Sequence, residues 1–86
     1  SGKEELARQL YKEIRATDGV ISAIDMMLHD YGPDRYSGSV NIEIDHKRSI
    51  GEVYEEIHRL QLRIMEEYHV TMVFGIYAVD EDTSSR

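Results

Sequence analysis

Along the first fourteen positions after Gly2, the apolar residues Leu6, Ala7, Leu10, Tyr11 and Ile14 recur at three- and four-residue spacing. Charged Glu4, Glu5, Lys12 and Glu13 fall between them. That stripe predicts an amphipathic helix over 3–16. Thr17-Asp18-Gly19 ends it, since glycine enters the left-handed cap conformation without a Cβ clash. Residues 20–30 are dense in Val, Ile and Met with no polar face at helical period, which predicts a mostly buried strand. Tyr31-Gly32-Pro33-Asp34-Arg35 reads as a tight connection, with φ preset by Pro33. Residues 36–45 then alternate: Val40, Ile42 and Ile44 on one face, Ser39, Asn41, Glu43 and Asp45 on the other. A strand with one face on a core follows, in an antiparallel hairpin with its predecessor.

Ser49 and Glu52 form an S-x-x-E capping box at a helix start. Ile50, Val53, Ile57, Leu60 and Ile64 form one face of that helix, widened by Tyr54, Leu62 and Met65, to about Tyr68. Residues 70–79 make a third strand, apolar on both faces, a pattern that usually means burial on both. The order α-β-β-α-β predicts an α+β domain: a three-stranded mixed sheet with two helices on one face. The crossover through 49–68 makes the second and third strands parallel. Two helices cover one sheet face, so the other is expected to meet a second copy of the chain. Candidate contributors are Met27, Val73, Phe74, Ile76 and Tyr77.

Composition narrows the function classes. The 86 residues suffice for one domain spanning 1–86, folded over 3–79 with a polar tail at 80–86. Ten Lys and Arg against 17 Asp and Glu give a net charge of −7, which disfavours nucleic acid as a partner. With no apolar run near the roughly 18 residues of a membrane span, direct membrane insertion is not expected. The absence of cysteine rules out disulfides, thiolate metal sites and thiol catalysis.

The chemistry-bearing residues are few. His29 lies beside Asp30 near the end of the first strand, and His46 follows Asp45 at the end of the second. Asp25 and His29 fall on one face by strand parity, with Asn41 and Glu43 as candidate cross-strand neighbours. Asp25, His29, Asp45 and His46 are the candidate metal ligands, against the plainer reading of solvated strand-end residues. His58 reads as a surface helix residue, and His69 as a charge that favours a helix C-terminus. Asp80-Glu81-Asp82 reads as a solvated acidic tail. No G-x-S-x-G, phosphate-cradling glycine loop or H-E-x-x-H occurs, and an acylphosphatase-like activity would need a basic anion loop where this chain is acidic. The chain is not expected to be an enzyme.

Four segments carry a family resemblance. Gly19-Val20-Ile21-Ser22-Ala23-Ile24-Asp25-Met26, Tyr31-Gly32-Pro33-Asp34-Arg35-Tyr36, Val40-Asn41-Ile42-Glu43-Ile44-Asp45 and Ser49-Ile50-Gly51-Glu52-Val53-Tyr54-Glu55-Glu56-Ile57 occur in order. Across 17–79 they resemble the C-terminal cytoplasmic domain of the cation diffusion facilitator, or cation efflux, transporters. The family's segments read approximately GV-x-x-V-H-D-L, YGP-x-x-Y, V-H-V-E-V-D and S-(I/L)-x-E-(A/V)-(H/Y)-E-(E/I)-I. The resemblance implies a ferredoxin-like, metallochaperone-like fold and a regulatory, dimerising role on the cytoplasmic side of the membrane. It also implies a membrane domain of the parent transporter as partner, and a proton-coupled divalent metal as the parent's cargo. A free-standing ferredoxin-like sensor of a small ligand or metal is the alternative.

The departures from the pattern concern metal. Ile24, Asn41 and Tyr54 stand where the family carries histidine, and the last-strand histidine falls at Tyr77 or Ala78. Isoleucine does not coordinate, and neutral Asn and Tyr are poor ligands for divalent metals. No resident cofactor is therefore expected. Zinc or manganese at Asp25 and His29, or at Asp45 and His46, is the residual metal reading.

Overall fold

A computed structural model describes residues 2–81 of the chain. The elements are α1 (Gly2–Arg15), β1 (Val20–Asp30), β2 (Tyr36–Asp45), α2 (Ile50–Tyr68) and β3 (Val70–Val79). The α-β-β-α-β order and α+β class are those the sequence predicts. Of the tail, Asp80 and Glu81 are described; Asp82 to Arg86 lie outside the described residues.

The sheet order is β1-β2-β3, with β1 antiparallel and β3 parallel to the central β2. One cluster of buried residues joins Leu10 and Ile14 of α1, Val53, Ile57, Leu60 and Ile64 of α2, and the inner sheet positions Ala23, Leu28, Val40, Ile42, Ile44, Val70 and Met72. Both helices therefore cover the same sheet face. Across α1 and α2, Arg63 Nε donates to Glu13 Oε1 at 2.7 Å. Glu13 also hydrogen-bonds Tyr68 and raises its hydroxyl pKa.

The local signals act as their chemistry dictates. Gly19 takes φ 90° after α1, a value that penalises any side chain. In the connection between β1 and β2, Tyr31 N–H donates to Arg35 O at 3.1 Å, with Asp34 in the left-handed region at φ 57°. Ser49 caps α2 by accepting from Glu52 N–H at 3.4 Å. That bond is long and exposed, so Ser49→Ala should cost about 0.5–1 kcal/mol in a urea melt. His69 closes α2 in the left-handed conformation, at φ 58°, its N–H on Met65 O.

Two expectations about burial are corrected. β1 is not mostly buried: only Ala23 and Leu28 are, whereas Ile24 and Met27 are exposed. The cause is a bulge: Ile24 pairs with Asn41 and Met27 with Ser39, so three steps on β1 match two on β2. Asp25, inside the bulge, takes φ 57°, a conformation aspartate tolerates better than most residues. α1 holds the irregularity in place. Met26 N–H donates to Tyr11 Oη at 2.7 Å, and Arg15 donates to Ala23 O at 2.7 Å with its guanidinium 4.5 Å from the Tyr11 ring centre. The second correction concerns β3, which is not buried on both faces within one chain. Val73 and Tyr77 are exposed, whereas Phe74 and Ile76 pack on the helix-side core.

Candidate functional site

The uncovered sheet face is the candidate site, and the register orders it in rows. His29, Ser37 and Thr71 form one row; Met27, Ser39 and Val73 the next; then Ile24, Asn41 and Gly75; then Ser22, Glu43 and Tyr77. The central strand contributes the polar column, and the two edge strands contribute the apolar flanks. Met27 at 57 % and Val73 at 62 % exposure are separated by Ser39, so this face is not one continuous apolar patch.

A shallow depression of about 410 Å³ opens on this face, bordered by Ile24, Asp25, Asn41, Glu43, Tyr77 and Val79. Beside it, Gly75 of β3 pairs with Asn41. A Cβ at that position would run into the Asn41 carboxamide oxygen and come within 3.4 Å of Tyr77 Cε1. The Asn41 amide therefore lies across β3 where a side chain would otherwise stand. Ser22 Oγ donates to Glu43 Oε1 at 2.8 Å, which fixes one carboxylate at the rim.

The sequence-predicted ligands do not converge. Asp25 borders the depression, but His29 pairs with Ser37, four β2 residues from the Ile24–Asn41 rung. At about 3.3 Å per residue that is roughly 13 Å along the strand, beyond the span of one ion's ligand shell. The cross-strand assignment is also corrected: Asn41 faces Ile24 and Glu43 faces Ser22, not Asp25 and His29. The bulge shifts the register.

Asp45 and His46 lie at the far end of β2, where the backbone of His46 donates to Val79 O at 2.8 Å. Asp45 Oδ1 accepts from Lys47 N–H at 2.9 Å. That bond, with smaller help from Glu81, His46 and Lys47, holds the Asp45 carboxyl below the usual carboxylate range. A carboxyl of lowered pKa stabilises the fold above its unfolded pKa, and the contribution disappears as pH falls through the folded value. Among the described residues no three His, Asp or Glu side chains come together as a metal-binding group.

Sequence reasoning missed Ile24 as an outward apolar residue and Gly75 as the partner that makes room for the Asn41 amide. Only the bulge, which has no proline or glycine to announce it, could have revealed the first. The facing pair Asn41 and Gly75 depends on the parallel register and was not readable from β3 alone.

The fold matches solved structures closely. A doubly substituted MamM C-terminal domain superposes with a TM-score of 0.78 at 13% identity, covering 93% of this chain and 98% of that one. A cadmium form of the MamM C-terminal domain gives 0.77 at 13% identity, over 93% of this chain and 100% of that one. A nickel form gives 0.74 at 13% identity, over 90% and 99%. No family model and no curated protein matches the sequence. The chain thus shares the ferredoxin-like fold of these domains.

Proposed function

We propose that the chain is the cytoplasmic regulatory and dimerising domain of a divalent-metal cation efflux transporter, proton-coupled in the parent and attached there to a membrane domain. The observation that carries this reading is a coincidence of two independent matches. The four sequence segments resemble that family, and the fold superposes on the MamM C-terminal domain over nearly its whole length. Among the described residues no helix is long and apolar enough to cross a membrane, so transport itself would belong to other segments.

Ile24 and Asn41, which stand where the family carries histidine, are direct cross-strand partners at the depression. The depression is then the family's metal pocket with its imidazoles replaced. Copies would associate without metal, and a chelator would leave their association unchanged. The gene upstream of Lys3 tests the transporter assignment. Six hydrophobic spans support it, and a start codon near Leu6 supports the free-standing sensor. Regulation by metal at Asp25 and His29, or at Asp45 and His46, would require a ligand arrangement other than the one described. His29→Ala and His46→Ala should leave zinc and manganese titrations unchanged.

A further inference from the structure

We infer that Tyr11 and Arg15 make α1 a lever on the open face: they pin the two peptide groups that enclose Ile24 and Asp25, so the seating of α1 and the conformation of Asp25 at the depression are coupled. The inference rests on the proposed regulatory role and names a route for it.

The pins are two hydrogen bonds. Arg15 donates to Ala23 O at 2.7 Å, and Tyr11 Oη accepts from Met26 N–H at 2.7 Å. The first holds the peptide group that precedes Ile24, and the second holds the one that follows Asp25. Between two fixed peptide planes lie only the φ and ψ angles of Ile24 and Asp25. Those residues are the β1 contribution to the depression. Tyr11 and Arg15 stand four residues apart, on one flank of α1, and the Arg15 guanidinium lies 4.5 Å from the Tyr11 ring centre. The two pins therefore move together, as one part of the helix.

Asp25 needs such holding. Its φ of 57° is a left-handed conformation, which costs free energy for any residue with a Cβ and persists where the surroundings impose it. β1 is an outer strand, so β2 is its only strand neighbour. On the open side Ile24 is 48 % exposed and Asp25 is exposed too, which leaves little packing there to impose the conformation. The constraint comes from behind, through α1.

The coupling has a direction. A ligand that engages Asp25 in its present conformation favours the seated α1, and lifting α1 releases Asp25 from that conformation. Residues 16–19 join α1 to β1, with Gly19 turning at φ 90°, so α1 has a corner about which to move. In the proposed parent the membrane domain is attached upstream of α1. A shift of α1 imposed from that side reaches the depression without passing through the core of the sheet.

NMR of the whole chain tests the inference. Tyr11→Phe should leave the chain folded by circular dichroism, yet displace the signals of the Ile24 methyls and the Asn41 side-chain amide, a cross-strand pair on the open face. In an Asp25→Gly background the same change should displace them about threefold less, because glycine keeps a left-handed conformation without the pins. Asp25→Gly alone should raise the protection factor of the Met26 amide about threefold, since relieving the strain favours the closed pin. Should Tyr11→Phe fail to fold, Arg15→Met removes the other pin and gives the same comparison. Open-face signals indifferent to loss of a pin would overturn the inference, as would equal displacements with and without Asp25→Gly. An unchanged Met26 protection factor in Asp25→Gly would do the same. None of these outcomes touches the transporter reading, which the upstream gene decides separately.

Discussion

Leu60→Ala should lower the unfolding free energy by about 2–5 kcal/mol, a large share of what a domain of this size possesses. Leu60 is fully buried between α2 and the sheet, in the one cluster that joins both helices to all three strands. Removing its three outer carbons forfeits their transfer free energy and leaves a cavity that the neighbouring Ile57, Ile64 and Met72 fill only in part. Ile57→Ala should behave similarly but less severely, since Ile57 retains 5 % exposure at the rim of the stripe. Urea denaturation of the three proteins gives the comparison directly. A Leu60→Ala midpoint equal to the parent's would mean that α2 presents a different face to the sheet.

Tyr11→Phe should cost about 1–3 kcal/mol, although it deletes a single oxygen. The ring still packs beneath Arg15, but Met26 N–H loses the acceptor that replaces its missing ladder partner. An amide left without a partner in a half-buried bulge carries the desolvation penalty of that group. The change should also speed exchange of the Met26 amide before global unfolding. Unchanged stability and unchanged Met26 exchange would mean that water, not Tyr11, satisfies the bulge. Since the bulge turns Ile24 and Met27 outward, this tyrosine on α1 helps to shape the open face from behind.

The helices and strands were legible because each is written in a strong local code. The Leu6–Ile14 stripe, the Val40–Ile44 alternation, the Ser49 cap and the Ile50–Ile64 stripe all survive into the structure within a residue or two. The parallel pairing of β2 and β3 followed from the length of the α2 crossover. What stayed hidden was whatever depends on two segments at once. The β1 bulge is held by a side-chain acceptor and a side-chain donor on α1, fifteen and eight residues away, and no pattern within 20–30 announces it. One extra residue there reverses the parity of the strand, which is why Asp25 and His29 were placed opposite the wrong β2 residues. The outward faces of β3 were ambiguous for a related reason. Val, Met, Phe, Ile and Tyr all suit either a core or an interface, and only the helix positions separate Phe74 and Ile76 from Val73 and Tyr77.

The substitutions at Ile24 and Asn41 were visible as departures from a family pattern, but their adjacency was not. Direct cross-strand partners have Cβ atoms about 4.5–5.5 Å apart, a spacing that lets two imidazoles reach one tetrahedral ion at about 2.0–2.1 Å. Asp25 borders the same depression and could supply a carboxylate.

Calorimetric titration with zinc of the parent chain beside an Ile24→His, Asn41→His double variant therefore tests the central claim most directly. The account predicts no stoichiometric site in the parent and a new zinc site in the double variant, weakened again by Asp25→Ala. A submicromolar site in the parent that disappears with His29→Ala or His46→Ala, or a double variant that stays indifferent to zinc, would contradict it.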